Sequence, residues 1–381
     1  MALNQVGLER LGTQVSKKIG ASKNLVINGA FQVAQRGTSS TSTGYQTVDR
    51  ITVITNGVDE QPTQAQVDVA SGTDPYTNGF RKAFKLTNGN QTSGAGAADF
   101  IVVRHKIESQ NVANSGWDYT STSSNITLSF WIKASVAQNY FFSVLSSDGT
   151  LQNFPMETGS LSADTWTKIT KIIPGAANVQ FDNNNGIGIE LDWWPFAGTS
   201  YTASGVALNT WAAFASGTRF PDHTSTWYTT NDATLEITGV QLEVGSVATD
   251  FEHRSFAQEL ALCQRYFQTI SRSSNANSVN GTFAAGTCND NGNNGGILQV
   301  MVRFQTTMRA VPTMTQSGTF SHHVSGVNVA DTTVAFSQAY IDGVKCTGTQ
   351  TAFVSADGSC GELTSKYSDT STAMIKADAE L

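Results

Sequence analysis

The sequence predicts an all-β chain: a short N-terminal helix, an antiparallel β-sandwich, a connecting amphipathic helix and a smaller C-terminal β-sandwich. Three observations predict it. Between about residues 39 and 248, short runs rich in β-branched and aromatic residues alternate with Gly, Asn, Asp and Ser punctuation, and no βαβ spacing interrupts them. Near residue 245 the apolar period changes from two to 3.6. A length of 381 residues exceeds what one hydrophobic core usually serves, so two domains are expected.

Residues 5–20 hold Leu8, Leu11, Val15 and Ile19 at spacings of 3, 4 and 4, with Glu9, Arg10, Lys17 and Lys18 off that stripe. A helix of about four turns is marginal alone in water, so this one needs a surface, either its own sandwich or an assembly partner. Ser39–Gly44 is a polar loop. Ile126, Leu128, Phe130 and Ile132 then share one strand face, and Thr127, Ser129, Trp131 and Lys133 the other. Phe84 with Leu86, Tyr140-Phe141-Phe142, and Ile169 with Ile173 supply further strands, separated by the turn dipeptides Asn88-Gly89, Asp148-Gly149 and Asn185-Gly186. Residues 197–232 carry Trp211, Phe214, Trp227 and Tyr228 among Gly, Ser and Thr and read as a long excursion between strands, the kind of loop that carries contacts.

Leu235 and Ile237 alternate, the phase slips at Thr238-Gly239, and Val240, Leu242 and Val244 resume, which is the pattern of a β-bulge. Ser255 and Gln258 have capping-box spacing, and Phe256, Leu260, Cys263 and Phe267 follow as one helical stripe. Ser271–Asn280 makes a polar linker, with Asn289–Gly296 as the other candidate boundary, Leu298, Val300, Val302 and Phe304 alternate strictly, and Pro312, Asp342-Gly343 and Asp357-Gly358 mark turns of a second β domain. The expected domains are 1–23, 24–254, 255–270 and 271–381. No repeat and no collagen-like shaft is present.

Charged residues are only 14% of the chain, against roughly 25% in an average soluble domain. The net charge is −7 with no basic cluster, so no nucleic-acid partner is expected. No apolar run reaches membrane-spanning length and the first residues lack a signal-peptide core, so neither membrane insertion nor secretion is expected and assembly in a cytosol is. The four cysteines, Cys263, Cys288, Cys346 and Cys360, lie in the last third; Cys263 reads as a small core residue, and a Cys346–Cys360 bond is an open alternative to free thiols.

The stretch from Ile237 to Phe267 resembles the strand-to-helix junction of tail-fibre and other virion proteins of tailed phages, marine and cyanobacterial phages in particular. The opening Asn24–Thr38, the Asp49-Arg50 pair, Leu128–Ser135, Trp166-Thr167-Lys168 and Ile173-Pro174-Gly175 belong to the same pattern. Val302-Arg303-Phe304, Met308–Thr313 and Ala377–Leu381 are loosely similar to C-terminal fibre heads. The resemblance implies a jelly-roll sandwich like those of carbohydrate-binding modules, a virion location, a homo-oligomer, expected to be a trimer, and an N-terminal helix that binds other tail or capsid proteins. It also implies a structural calcium near the first and last strands. The matching positions, Asn28, Gly29, Gln32, Thr238 and Gln241, lack the carboxylates calcium prefers, so no metal and no cofactor is expected.

The sharpest chemical constellation is Gly186–Trp194. On a strand, Ile187, Ile189, Leu191 and Trp193 face the core while Glu190, Asp192 and Trp194 share the other face, two carboxylates beside an indole, which can hold a sugar by hydrogen bonds and stacking. A solvated strand face is the alternative. As a glycosidase pair these acids approach a ligand from one side, whereas hydrolysis needs carboxyls flanking the bond about 5–9.5 Å apart. Trp211, Trp227 and Tyr228 extend the candidate glycan site, or else pack beneath the loop. Trp131 and Trp166 are expected in the core. His322-His323 is a weak metal-tip candidate, and no nucleophile elbow, phosphate loop or zinc-helix motif occurs. The expected function is a non-enzymatic phage virion protein, a tail fibre contributing to host-surface glycan attachment. A scaffold or capsid-decoration protein with no ligand and a glycan-degrading tailspike are the alternatives.

Overall fold

The structure is a computed structural model and describes residues 23–273, 282–290, 296–324, 327–349, 360–365 and 372–381. The N-terminal helix with Leu8, Leu11, Val15 and Ile19 and the Asp357-Gly358 turn lie outside the described residues. The chain divides into two units, Met1–Glu259 with Leu381, and Leu260–Glu380.

The first unit is an all-antiparallel sandwich. Its strands are β1 (Ser39–Ser40), β2 (Ile51–Asn56), β3 (Thr63–Asp68), β4 (Lys82–Thr87), β5 (Phe100–Glu108), β6 (Asn125–Ala134), β7 (Asn139–Ser146), β8 (Gln152–Ser160), β9 (Thr167–Pro174), β10 (Ile187–Ala197), β11 (Ala212–Ala213) and β12 (Thr234–Val244). They form two six-stranded sheets, β1-β3-β4-β12-β6-β9 and β11-β8-β7-β10-β5-β2, the jelly-roll arrangement. Each chain reversal moves apolar alternate residues into the space between the sheets. Ile126, Leu128, Phe130 and Ile132 of β6 are all at most 1% exposed, and Phe130 meets Phe142 and Trp193 of the second sheet edge-to-face at 5.1 and 5.6 Å.

The phase slip read at Thr238-Gly239 is a bulge: the pairing of β12 with β6 jumps between Thr238 and Gln241. Gly239 has φ +63°, and a Cβ there would lie 2.6 Å from the Phe80 ring, so only glycine fits. The capping box also forms. Gln258 Oε1 accepts from the Ser255 backbone N at 3.0 Å, and the Gln258 backbone N donates to Ser255 Oγ at 3.4 Å. The helix covers Phe256–Gln264. Its expected stripe is corrected: Phe256 is 55% exposed and Phe267 belongs to a strand, while Glu259 is buried, as is Cys263. The buried Glu259 carboxyl is partnered: Arg254 reaches it at 3.3 Å and the Asn28 backbone N donates to it.

The second unit contains β13 (Phe267–Ser273), β14 (Thr282–Asp290), β15 (Gly296–Arg303), β16 (Thr313–Ser317), β17 (Phe320–Val324), β18 (Val327–Tyr340), β19 (Gly343–Thr349), β20 (Cys360–Ser365) and β21 (Thr372–Asp378). β13-β21-β16 make a three-stranded sheet, and β14-β15-β19-β18-β17-β20 close as a barrel. Leu298, Val300 and Val302 enter the core in the expected alternation, with Val344, Cys346 and Leu363. Closure removes exposed strand edges, which two open sheets would retain. This unit begins before the expected linker, because Phe267–Ser273 is held as a strand against β21 rather than running free. Cys346 is buried and Cys360 is exposed, and the two are not joined by a disulfide. Burial pushes the Cys346 thiol up to about 12. His322-His323 sits within β17, where His323 Nδ1 is 3.8 Å from Glu362.

Candidate functional site

β10 lies between β5 and β7 in the second sheet, and its alternation is the expected one. Ile189, Leu191 and Trp193 join the inter-sheet core, whereas Trp194 belongs to a separate cluster on the outer face. Gly188 allows the strand to start, since a Cβ there would lie 2.5 Å from Ser109 Cα. Register then sets Asp192 between Arg104 of β5 and Ser143 of β7, and Glu190 between Lys106 and Leu145.

Arg104 holds both candidate carboxylates. Its Nε and Nη2 donate to Asp192 Oδ1 and Oδ2, each at 2.6 Å, and its Nη1 lies 2.7 Å from Glu190 Oε2. The fork-on-fork geometry is the strong, orienting form of this contact. The side chain of Asp192 is 0% exposed, that of Arg104 15% and that of Glu190 12%. Burial works against the Arg104 charge, but Asp192 and then Glu190 outweigh it and leave its pKa raised. Burial likewise raises the Glu190 pKa, against the pull of Arg104. Arg219, from the 198–232 excursion, brings a second guanidinium: its Nη1 is 3.9 Å from Asp192, and its carbon lies 4.8 Å over Trp194 and 4.6 Å over Phe214. Burial lowers the Arg219 pKa, with Asp192 opposing. Arg219 Nε, Ser143 Oγ, Asn153 Oδ1 and Trp194 Nε1 have no hydrogen-bond partner within the protein.

The candidate residues divide. Glu190 and Asp192 come together with Trp194 as the alternation implies, but Trp194 is no open stacking surface. It is 4% exposed, enclosed by Phe100, Tyr201 and Phe220 at ring distances of 5.5, 5.8 and 5.6 Å. Trp227 and Tyr228 are corrected more fully: both are 0% exposed and part of the inter-sheet core. The returning end of the excursion plugs the sandwich there. Tyr228 stacks on Phe196 at 4.2 Å, Trp227 Nε1 donates to the Thr234 carbonyl at 3.1 Å, and the Asn88 amide donates to the carbonyls of Tyr228 and Thr230 at 2.6 and 3.1 Å. Trp211 is half-buried on Phe154, its Nε1 donating to the Pro174 carbonyl at 2.7 Å.

Arg104 and Arg219 escaped the sequence reading. Arg104 shares one face of Phe100–Glu108 with Phe100, Val102, Lys106 and Glu108, opposite Ile101, Val103 and Ile107, so it reads as one of several charges on a mixed face, and Arg219 is brought in by long-range packing of a loop. The positions matched to the calcium site make protein contacts: the Asn28 amide donates to the carbonyls of Val33 and Asp49, and Gln241 Oε1 accepts from the Glu252 backbone N.

No family model and no curated protein matches the sequence. Among solved structures, the enzymatically active domain of tailspike protein 4 of bacteriophage CBA120 is 10% identical, covering 58% of this chain and 21% of that one, with a TM-score of 0.30. The N-terminal cellulose-binding domain of Cellulomonas fimi β-1,4-glucanase C is 11% identical over 57% of this chain and 99% of its own, at a TM-score of 0.26. The family 11 carbohydrate-binding module of the Clostridium thermocellum cellulase Lic26A-Cel5E is 11% identical over 56% and 98%, at 0.25. The chain thus spans about a fifth of the tailspike domain. Scores this low carry no functional argument; the jelly-roll assignment rests on the strand order itself.

Proposed function

We propose that this chain is a non-enzymatic virion protein of a tailed phage, a tail-fibre component that contributes to attachment to a host-surface glycan. The observation that carries the glycan part is the Arg104–Asp192–Glu190 network with Arg219, a rigid array of planar donors and acceptors whose neighbours Ser143 Oγ and Asn153 Oδ1 have no partner within the protein. Such groups complement sugar hydroxyls. The network is reached at its rim, where Glu190 and the two guanidinium groups keep some exposure. Both carboxylates bind one guanidinium from one side, which supports binding rather than attack on a bond from opposite faces. The virion part is supported by the bulged strand and capped helix at residues 234–264, the segment that carries the phage resemblance. Weak single sites gain strength when a homotrimer presents several together.

The scaffold reading is favoured by one observation, the enclosure of Trp194, Trp227 and Tyr228, which leaves those aromatics unavailable for stacking. Glycan-array binding by the assembled protein separates the two. Binding at submillimolar concentration that falls in Glu190→Gln, with folding intact, supports attachment. Silence across the array at millimolar concentration supports scaffold, and polysaccharide cleavage lost in Glu190→Gln would restore the tailspike alternative.

A further inference from the structure

We propose that the outer face of the first sheet is a second binding surface, for an acidic polysaccharide bearing carboxylate or sulfate groups. It lies on the opposite side of the sandwich from the Arg104 network and does not depend on that network. Sequence places Trp131 and Trp166 in the core, but both are only partly buried, and they pack on the edge of an outer cluster containing Phe80, Val69 and Ala83.

Register builds the surface. Glu236 of β12 is paired with Lys85 of β4 on one side and Lys133 of β6 on the other. In the next row Trp131 stands between Thr238 of β12 and Lys168 of β9. Lys133 Nζ is 3.0 Å from Glu236 and 5.2 Å from the centroid of the Trp166 ring, so one ammonium is fixed between a carboxylate and an indole. With neighbouring strands about 4.8 Å apart, the four strands form a plate on the order of 15 Å wide. Lys85, Lys133 and Lys168 against Glu236 leave three positive charges to one negative, within a chain whose net charge is −7.

The chemistry of this plate selects its ligand. A pyranose ring presents an apolar C–H face that indoles can cover, and an acidic substituent on the same ring meets an ammonium. A neutral sugar would leave the two ammonium charges in excess of Glu236 unmatched. A peptide strand adds to a sheet edge, but β4, β12 and β6 are interior strands whose backbone groups are already paired. Lysine point charges accept carboxylate and sulfate alike.

Affinity electrophoresis of the full chain through gels containing polygalacturonate, dextran sulfate or plain dextran tests this. Retardation is expected with one or both acidic polymers, reduced by salt, and not with dextran. Trp166→Ala and the exposed Lys168→Gln should each raise the apparent dissociation constant about tenfold, while Glu190→Gln should leave retardation unchanged. Lys168→Gln keeps the test valid if Trp166→Ala unfolds. The proposal is overturned if neither acidic polymer retards the protein, or if retardation survives both variants. It is also overturned if Trp166→Ala changes the oligomeric mass but not retention, which makes the face a subunit contact. Retardation lost in Glu190→Gln alone would return binding to the Arg104 network and refute this surface without touching the attachment reading.

Discussion

Arg104 satisfies Asp192 and Glu190 together, so removing one partner exposes the cost of the others. Asp192→Ala leaves a buried guanidinium short of its fully enclosed counter-ion and should lower stability by about 3–5 kcal/mol in urea unfolding. A loss below about 1 kcal/mol would show that the network is solvated and weak. Gly239→Ala meets the positive φ and the Phe80 ring at once, and should cost about 2 kcal/mol. His105 gives the pH dependence. It is wholly buried, its Nε2 is 3.0 Å from the Ile27 carbonyl, and burial, then the Arg50 charge, holds its pKa well below 6.5. The unfolded chain takes up a proton below that ordinary value and the folded chain does not, so stability is full above pH 6.5 and declines as pH falls, by up to about 1.4 kcal/mol per unit from this group. In His105→Asn that component of the slope should vanish; an unchanged slope between pH 6.5 and 5 would assign it elsewhere. Strand alternation made the faces of Glu190, Asp192 and Trp194 readable from sequence. What covers a face was not, because Arg219 and Phe220 arrive from 22 and 23 residues beyond the end of β10 at Ala197, through contacts no local pattern encodes.

Among elements, the β12-to-helix junction was the most readable, because a bulge and a capping box are local events. Ser255→Ala removes the side-chain acceptor for the Gln258 backbone N and should cost about 1 kcal/mol; thermal unfolding of the variant checks it, and an unchanged midpoint would make the cap incidental. The helix stripe was misjudged for a physical reason: with an ion partner at Arg254, a glutamate can take an inward position that periodicity reserves for apolar residues. The excursion expected over residues 197–232 is a long connection between β10 and β12, yet its aromatics Trp227 and Tyr228 turn inward. Trp and Tyr with satisfied N–H and O–H groups lose little by burial and gain a large apolar contact, and Trp227 and Tyr228 both have such partners.

At the scale of the molecule, the two units hold distinct cores and distinct reporters. All seven tryptophans precede residue 260, and all four cysteines follow it. Tryptophan emission therefore follows the first unit, and reactivity of the buried thiols Cys263, Cys288 and Cys346 the second. Denaturant titrations by the two probes should give non-coincident transitions. Coincident midpoints would mean that the units unfold as one. Length and turn spacing implied two β bodies in the sequence, but barrel closure in the second was hidden, because it depends on pairings such as β14 with β20 that are distant in the chain.

The excursion over the second sheet has a consequence for engineering. Its return is stapled by Asn88, whereas a Cβ built at Gly205, which has φ +83°, meets nothing within 4 Å. Foreign peptide grafted at that tip should be displayed outward without disturbing the sandwich, making the protein a natural carrier for epitopes or affinity tags.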